Sequence, residues 1–220
     1  MVDELTPIAN YMAQEMRTNS TGADVRIMSE NNRFSGTACI ADYQKLPWWR
    51  QLLGLGIAPD QCINMEMSAR TAALISWGLN VRQNGIWDHK PIIAARFHPR
   101  NPGGQQHWHQ YNTTLYYYDV WSNVHYGYVG KAAGFSDSVL LDGAGLEQIG
   151  STLLRLSRPQ RDATVSGLRA WDDPHDRAGI EMGIRLYRTN PGNLTTQILL
   201  NSILNSSRIE KKPAPAAATR

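Results

Sequence analysis

Residues 116–130 constrain the fold of this chain more than any other stretch. They begin with three consecutive tyrosines, which favour a half-buried strand over a helix. The tyrosines are followed by a dense polar group and two glycines: Asp119, Ser122, Asn123, His125, Gly127 and Gly130. Polar clusters beside glycines at a strand end are typical of functional sites on a rigid scaffold. The alternative is structural, with Ser122 or Asn123 capping a helix and His125 buried in the core.

A β-hairpin is predicted around this stretch. Residues 92–98 read as one strand and residues 107–119 as its antiparallel partner, joined by a long loop. Asp88 lies just before the first strand and Asp119 closes the second, so Asp88, His89, Asp119 and His125 should converge at the open end. On an extended chain Asp88 and Lys90 share one face, with His89 opposite. We therefore expect Lys90 to keep the Asp88 carboxylate ionised.

Most of the remaining chain has helical periodicity. We predict helices over residues 5–18, 62–84, 137–155, 173–187 and 193–206. Residues 19–61 read as irregular, except for a short helix over residues 48–53 that Gly54 and Gly56 would break. Trp48 and Trp49 are expected to pack a small subdomain, the alternative being that they stack on a sugar or a base. The predicted fold class is α+β, a mainly α-helical single domain over residues 1–210 with a central antiparallel β-hairpin. Residues 211–220 read as a disordered Lys/Pro/Ala tail that contributes nothing to catalysis.

Composition restricts the function only mildly. The net charge of +3 permits a polyanionic partner without demanding one. Seven Trp and nine Tyr against three Phe suit binding surfaces, including sugar faces. Cys39 and Cys62 either form one disulfide, if the protein works in a periplasm, or remain as two buried thiols. There is no run of about 20 apolar residues and no signal-peptide pattern at the start, so secretion would need a dedicated machine.

The sequence lacks the motifs of several enzyme classes. No nucleophile elbow, Walker loop, dinucleotide fingerprint or zinc-finger spacing is present, which argues against serine hydrolases, NTPases and dehydrogenases. His98, His107 and His109 lie near the other end of the predicted hairpin, and we expect them to be exposed. No cofactor is predicted, although a divalent metal is not excluded.

Five motifs carry a resemblance to a known family. They are Trp87-Asp-His-Lys-Pro91, Asp119-Val-Trp-Ser-Asn-Val-His-Tyr-Gly-Tyr-Val-Gly130, Lys131-Ala-Ala-Gly-Phe-Ser136, Leu140-Leu-Asp-Gly-Ala-Gly145 and Asp172-Asp-Pro-His-Asp176. Together they resemble the type 44 bacterial polymorphic toxin domain over roughly residues 5 to 190. The resemblance implies an antibacterial effector, delivered by type VI secretion or on a carrier protein, with a cognate immunity protein as partner. Predicted RNase activity is the usual label for the family.

Three functions compete at this stage. Paired carboxylates would suit a peptidoglycan hydrolase that cleaves glycan strands, which we favour slightly and which would act in the periplasm. In an RNase acting in the cytoplasm, His125 or His89 would serve as base and acid, and Lys90 or Arg82 would stabilise the phosphorane. The third is a non-enzymatic effector module.

The expected division of labour follows from the predicted hairpin. Asp119 should be partly desolvated and act as proton donor, while Asp88, beside Lys90, acts as base. His125 and Asn123 position the substrate, and His89 belongs to the catalytic set on the RNase hypothesis. We assign to substrate binding Lys90, Asn123, Tyr126, Trp87, Trp121, Glu66 and Asp173. An acid in the first turn of a helix, which is where Glu66 is expected, has a structural alternative because it complements the helix dipole.

Overall fold

A computed structural model describes residues 2–99, 107–141 and 174–215 of the chain. In these residues the helices are α1 (Leu5–Ser20), α2 (Ala23–Arg33), α3 (Gly36–Gln44), α4 (Trp48–Leu52), α5 (Pro59–Val81), α6 (Lys90–Arg96), α7 (Asp119–Ala132), α8 (Asp137–Leu141), α9 (Pro174–Thr189) and α10 (Thr196–Leu204). The strands are β1 (Trp108–Tyr111), β2 (Thr114–Tyr117) and β3 (Lys211–Pro213), antiparallel in the order β1-β2-β3. The predicted fold class, mainly α-helical α+β, is confirmed.

Helix α7 forms the centre of the core. Ten of its 14 residues are buried, including residues 124–130 without interruption, as expected of a helix surrounded by other elements. It packs against α9 over its whole length and against α1 on another side. The crossing with α9 depends on two glycines. A Cβ on Gly127 would collide with the Ile180 carbonyl, and one on Gly183 with the Val124 carbonyl.

The predicted hairpin is wrong in its first strand. Residues 90–96 form helix α6, with Pro91 in its first turn, where the missing N–H is tolerated. The hairpin lies entirely within the predicted second strand, because residues 112–113 form a tight turn and Tyr111 pairs with Thr114. Asn112 adopts φ 53°, the left-handed conformation that Asn tolerates better than most residues. Asp119 therefore begins a helix instead of ending a strand.

Residues 19–61 were predicted as irregular apart from a short helix over 48–53; that helix is confirmed as α4, and the rest of the prediction is wrong. They contain α2, α3 and α4, and Ser35 caps α3 by accepting a hydrogen bond from the Ala38 amide at 3.2 Å. Cys39 and Cys62 form a disulfide that joins α3 to the start of α5, which decides between the two alternatives. Trp48 and Trp49 pack no subdomain core, since both are exposed.

The other predicted elements differ mainly at their ends. Helices α1, α5 and α10 lie where periodicity placed them, but the stripe predicted as the apolar face of α5 includes exposed side chains such as Ile63 and Met67. Lys211–Pro213 pairs with β2, so the disordered tail does not begin at 211, and residues 216–220 lie outside the described part. The predicted helix 137–155 is described only as α8. In the described ranges, no helix is long and apolar enough to cross a membrane.

Candidate active site

Two buried histidines meet between α6 and α7. The ring centroids of His89 and His125 are 4.3 Å apart, with the rings inclined at 67°. His89 is the N-cap residue of α6 and is 0% exposed, while His125 lies in the middle of α7 and is 2% exposed. The two segments do come together as the sequence predicts. They are brought together by contact of the α6 N-terminus with α7, and not by the pairing of two strands.

Helix α1 supplies the hydrogen-bond partners of both imidazoles. The Tyr11 hydroxyl lies 3.0 Å from His89 Nδ1, and the Asn19 amide nitrogen lies 3.0 Å from His125 Nε2. Glu15 stands between them on the same face and accepts a hydrogen bond of 3.5 Å from Asn19. Residues spaced by four share a helix face. Tyr11 and Asn19 were not predicted as site residues. The sequence does place residues 11, 15 and 19 on one helix face, next to the apolar residues 8, 12 and 16.

Burial sets the protonation states of this group. It lowers the pKa of His89 to about 4, although the nearby Asp88 charge acts in the opposite direction. Burial, together with the neighbouring His89, holds the pKa of His125 well below its usual value. Burial and the Glu15 charge raise the pKa of Tyr11 to about 12. At pH 7 both imidazoles are therefore neutral and the phenol is protonated.

One nitrogen of the pair has no hydrogen-bond partner. Asn19 Nδ2 donates to His125 Nε2, so the His125 proton lies on Nδ1. His89 Nδ1 bonds the Tyr11 hydroxyl, and the other nitrogen, Nε2, is buried without a partner among the described residues. Buried polar atoms are usually paired, so this atom requires an explanation.

A partly exposed ion pair involves Lys90, the residue that follows His89. Lys90 Nζ is 2.8 Å from Asp119 Oδ2, and the two side chains are 38% and 21% exposed. Within the described residues, Asp119 Oδ1 is buried with no partner. Asp88 is used differently, because its carboxylate accepts the backbone amides of Asn84 at 2.9 Å and Lys90 at 3.3 Å. Asp88 therefore closes the turn that leads into α6.

The Lys90 side chain pairs with Asp119 and not with Asp88, the carboxylate that was predicted to be its partner. The Lys90 ammonium pairs with Asp119, and only the Lys90 amide contacts Asp88. A proton donor at position 119 would lose its ion pair each time it was protonated. The geometry therefore gives no support to Asp119 as general acid or to Asp88 as a free base.

The side chains predicted to bind substrate occupy other positions. Trp87, Trp121 and Tyr126 are buried, and Trp87 and Tyr126 pack on Trp77 with ring centroids 5.5 and 4.9 Å apart. Asn123 donates to Asp176 at 2.6 Å and so links α7 to α9. The three aromatic side chains are therefore part of the core, and the Asn123 amide is engaged in a contact between helices.

One predicted position lies away from this site, another falls outside the described residues, and two histidine predictions are wrong. Glu66 accepts the Gly36 amide at 2.7 Å and pairs with Arg70, so it joins α5 to α3. Asp173 lies outside the described residues. His98 is exposed as expected, but His107 is only partly exposed, with its ring stacked on Tyr118 at 4.5 Å between centroids. His109 is buried, and its Nε2 lies 2.7 Å from the Phe97 carbonyl. Over the described ranges, no group of three or more His, Cys, Asp or Glu side chains could hold a metal ion.

Comparison with protein families gives one match. The sequence model described as Bacterial toxin 44 matches residues 76–189, just over half of the 220-residue chain. The chain belongs to the bacterial toxin 44 family. The match is shorter than the resemblance suggested: it contains His89, Lys90, Asp119 and His125, whereas Tyr11 precedes it. Among curated proteins and solved structures, none matches the chain.

Proposed function

We propose that this toxin domain is an RNA-cleaving hydrolase in which His89 acts as the general base. Membership of a bacterial toxin family supports a role as an effector that acts in a target cell. The observation that carries the proposal is His89 Nε2, a buried nitrogen that has no partner among the described residues and whose ring contacts a second histidine. The next residue along the chain, Lys90, forms an ion pair with Asp119. On this proposal a cognate immunity protein and a secretion machine or carrier protein are the partners.

The unpartnered nitrogen is difficult to explain as a purely structural feature. Leaving a buried polar atom without a partner costs about 1–3 kcal/mol, which a core histidine normally avoids. If His89 donates its Nδ1 proton to the Tyr11 oxygen, the Nε2 atom carries a free lone pair. A neutral imidazole with a free lone pair is the form that a general base requires. With a pKa of about 4, His89 is in this form throughout the neutral range.

The surrounding groups suit cleavage of a phosphodiester next to a 2′-hydroxyl. The base removes the 2′-hydroxyl proton, the oxygen attacks phosphorus, and the bond from phosphorus to the 5′-oxygen breaks. The leaving oxygen takes a proton from water or from the Lys90 ammonium. Lys90, held by Asp119, stabilises the charge that develops on the phosphoryl oxygens. Because both imidazoles are buried, the proposal requires the side chains that cover His89 Nε2 to move aside when RNA binds.

The test uses purified full-length protein and a folded RNA substrate. We expect His89→Asn to lower the cleavage rate by about 10²–10⁴-fold, the usual contribution of a general base. The matched control is His98→Asn, which changes an exposed histidine and should cleave at the wild-type rate. Thermal unfolding of each variant separates lost chemistry from lost folding.

A second variant keeps the test informative if His89→Asn is unstable. Lys90→Met removes a half-exposed ammonium, and an ion pair of this exposure contributes little to stability, about 0–1 kcal/mol. The proposal predicts at least a tenfold loss of cleavage with nearly unchanged unfolding. If both variants are folded and cleave RNA as well as the wild type does, His89 is not the base.

A cell-wall hydrolase is the second candidate, and the disulfide favours it. A bond such as Cys39–Cys62 persists in the periplasm and is rare in the cytosol, where RNA is found. On this candidate Asp119 and Asp88 would be the carboxylate pair. Incubation of the same protein with purified peptidoglycan sacculi distinguishes the two. Release of glycan fragments that Asp119→Asn abolishes, with RNA left intact, would favour the cell wall.

A further inference from the structure

Residues 46–57 have an inverted distribution of polar and apolar side chains. The amide of Gln51 points inward and donates to the Leu46 carbonyl at 2.8 Å. Large apolar side chains of the same segment point outward instead: Trp48 is 75% exposed, Leu52 77% and Leu53 66%. Exposed apolar residues are ordinary when single, whereas a cluster of them indicates a binding surface.

The outward side chains form one continuous surface. Trp48 and Leu52 are four residues apart on α4, and so are Trp49 and Leu53, so the two pairs lie on adjoining faces of the helix. Leu55 and Ile57, in the loop that follows, are exposed as well. At about 100 Å² for each of the six, the area is on the order of 600 Å². That is the upper end of the largest patch on a typical monomer.

The segment that carries this surface is held in place by a disulfide and by close packing. The Cys39–Cys62 disulfide closes the chain on both sides of it, joining α3 to α5. Gly56 has φ 136° and lies directly against Leu46 and Tyr43, a conformation that strongly favours glycine. The apolar side chains are therefore held outward by a closed and packed loop.

The charges of this segment match a phospholipid surface. Within residues 46–57 the only charged residue is Arg50, which is cationic. Lys45, just before this segment, is paired with Asp42 at 2.7 Å. The Arg50 guanidinium lies over the Trp49 ring, 5.5 Å from its centroid. Tryptophan together with arginine and leucine is typical of segments that lie in the interface of a bilayer, and each cation near an anionic surface adds about 1 kcal/mol.

A protein partner fits this surface less well. Protein interfaces carry about one hydrogen bond per 100–200 Å², which requires polar side chains in or around the apolar patch. In residues 46–57 the only polar side chains are Arg50 and Gln51, and Gln51 is turned inward. A fluid bilayer requires no such directional partners. We propose that residues 46–57 insert into the interface of a bilayer containing anionic phospholipid and hold the toxin at a membrane surface.

The experiment is co-sedimentation of the full-length protein with vesicles of phosphatidylcholine, with and without one-quarter phosphatidylglycerol. We expect binding to both, tighter to the anionic vesicles. The matched pair is Leu53→Ser against Ile86→Ser, because both side chains are 66% exposed and Ile86 lies elsewhere, in the turn after α5. Leu53→Ser should weaken vesicle affinity about tenfold, and Leu52→Ser with Leu53→Ser about 100-fold, whereas Ile86→Ser should leave it unchanged.

Two results would overturn the proposal. One is the absence of binding to either kind of vesicle. The other is equal weakening by Leu53→Ser and Ile86→Ser. A protein interface between two copies would appear as an oligomer, seen by light scattering without vesicles, that Leu53→Ser dissociates. His89→Asn should bind vesicles as the wild type does, since this surface is independent of the proposed chemistry.

Discussion

At the residue scale the decisive pair is His89 and His125. The sequence identified both histidines, together with Lys90 and Asp119, because they stand in short polar motifs. It could not reveal that Lys90 pairs with Asp119 instead of Asp88, since that depends on residue 90 being helical and not extended. It also missed Tyr11, whose contact with His89 joins positions 78 residues apart.

The neutral histidines should make stability depend on pH. An unfolded chain protonates histidine near pH 6.5, whereas folded His89 does so near pH 4. Between these values the unfolded state binds more protons, so the free energy of unfolding falls as the pH drops from 7 to 4. The loss from His89 is about 3 kcal/mol, and His125 acts in the same direction. Urea unfolding at pH 7.5 and 4.5 measures it.

The control for this prediction is His89→Asn, which removes the titrating group. Its free energy of unfolding should fall less between the two pH values than that of the wild type. Other groups, such as Asp137, whose pKa is lowered by Lys131 and Arg188, titrate equally in both proteins and cancel in the comparison. An identical pH dependence in both proteins would mean that His89 is not buried in its neutral form.

At the scale of elements, periodicity predicted long helices well and short ones poorly. Helices α1 and α5 both lie close to the predicted bounds, although only in α1 is the predicted apolar face the buried one. Helix α6 was read as a strand because two consecutive isoleucines, residues 92 and 93, resemble a β-run in a segment of seven residues. Helices α2 and α3 were missed because few of their residues are buried, which leaves a weak apolar pattern.

The crossing of α7 and α9 provides a prediction about packing. Gly127→Ala places a methyl group against the Ile180 backbone carbonyl, which no rotamer change can relieve. We expect a destabilisation of about 3 kcal/mol or more, measured by chemical unfolding. The comparison is Gly192→Ala, where φ is 75° but no atom lies within 4 Å, so that only the backbone strain introduced by alanine, about 1–2 kcal/mol, should reduce stability. Equal costs at the two sites would contradict the close packing.

At the scale of the whole molecule, the histidine pair and the apolar surface lie on different elements. The histidine pair lies where α1, α6 and α7 meet, and the apolar surface is carried by α4 and the loop after it. The sequence predicted the fold class and the toxin family, because both rest on patterns that extend over many residues. The exposure of Trp48 could not be predicted, since a tryptophan pair in a short segment normally packs inward.

Purified protein acting on oligonucleotides tests the central claim most directly. The substrates are DNA strands that carry one ribonucleotide, prepared with each of the four bases, beside an all-deoxy strand. The proposed chemistry predicts cleavage only on the 3′ side of the ribonucleotide, with a 2′,3′-cyclic phosphate end, because the 2′-hydroxyl is the nucleophile. His89→Asn should leave every strand intact over the same period. Cleavage of the all-deoxy strand, or cleavage by folded His89→Asn at the wild-type rate, would contradict the account.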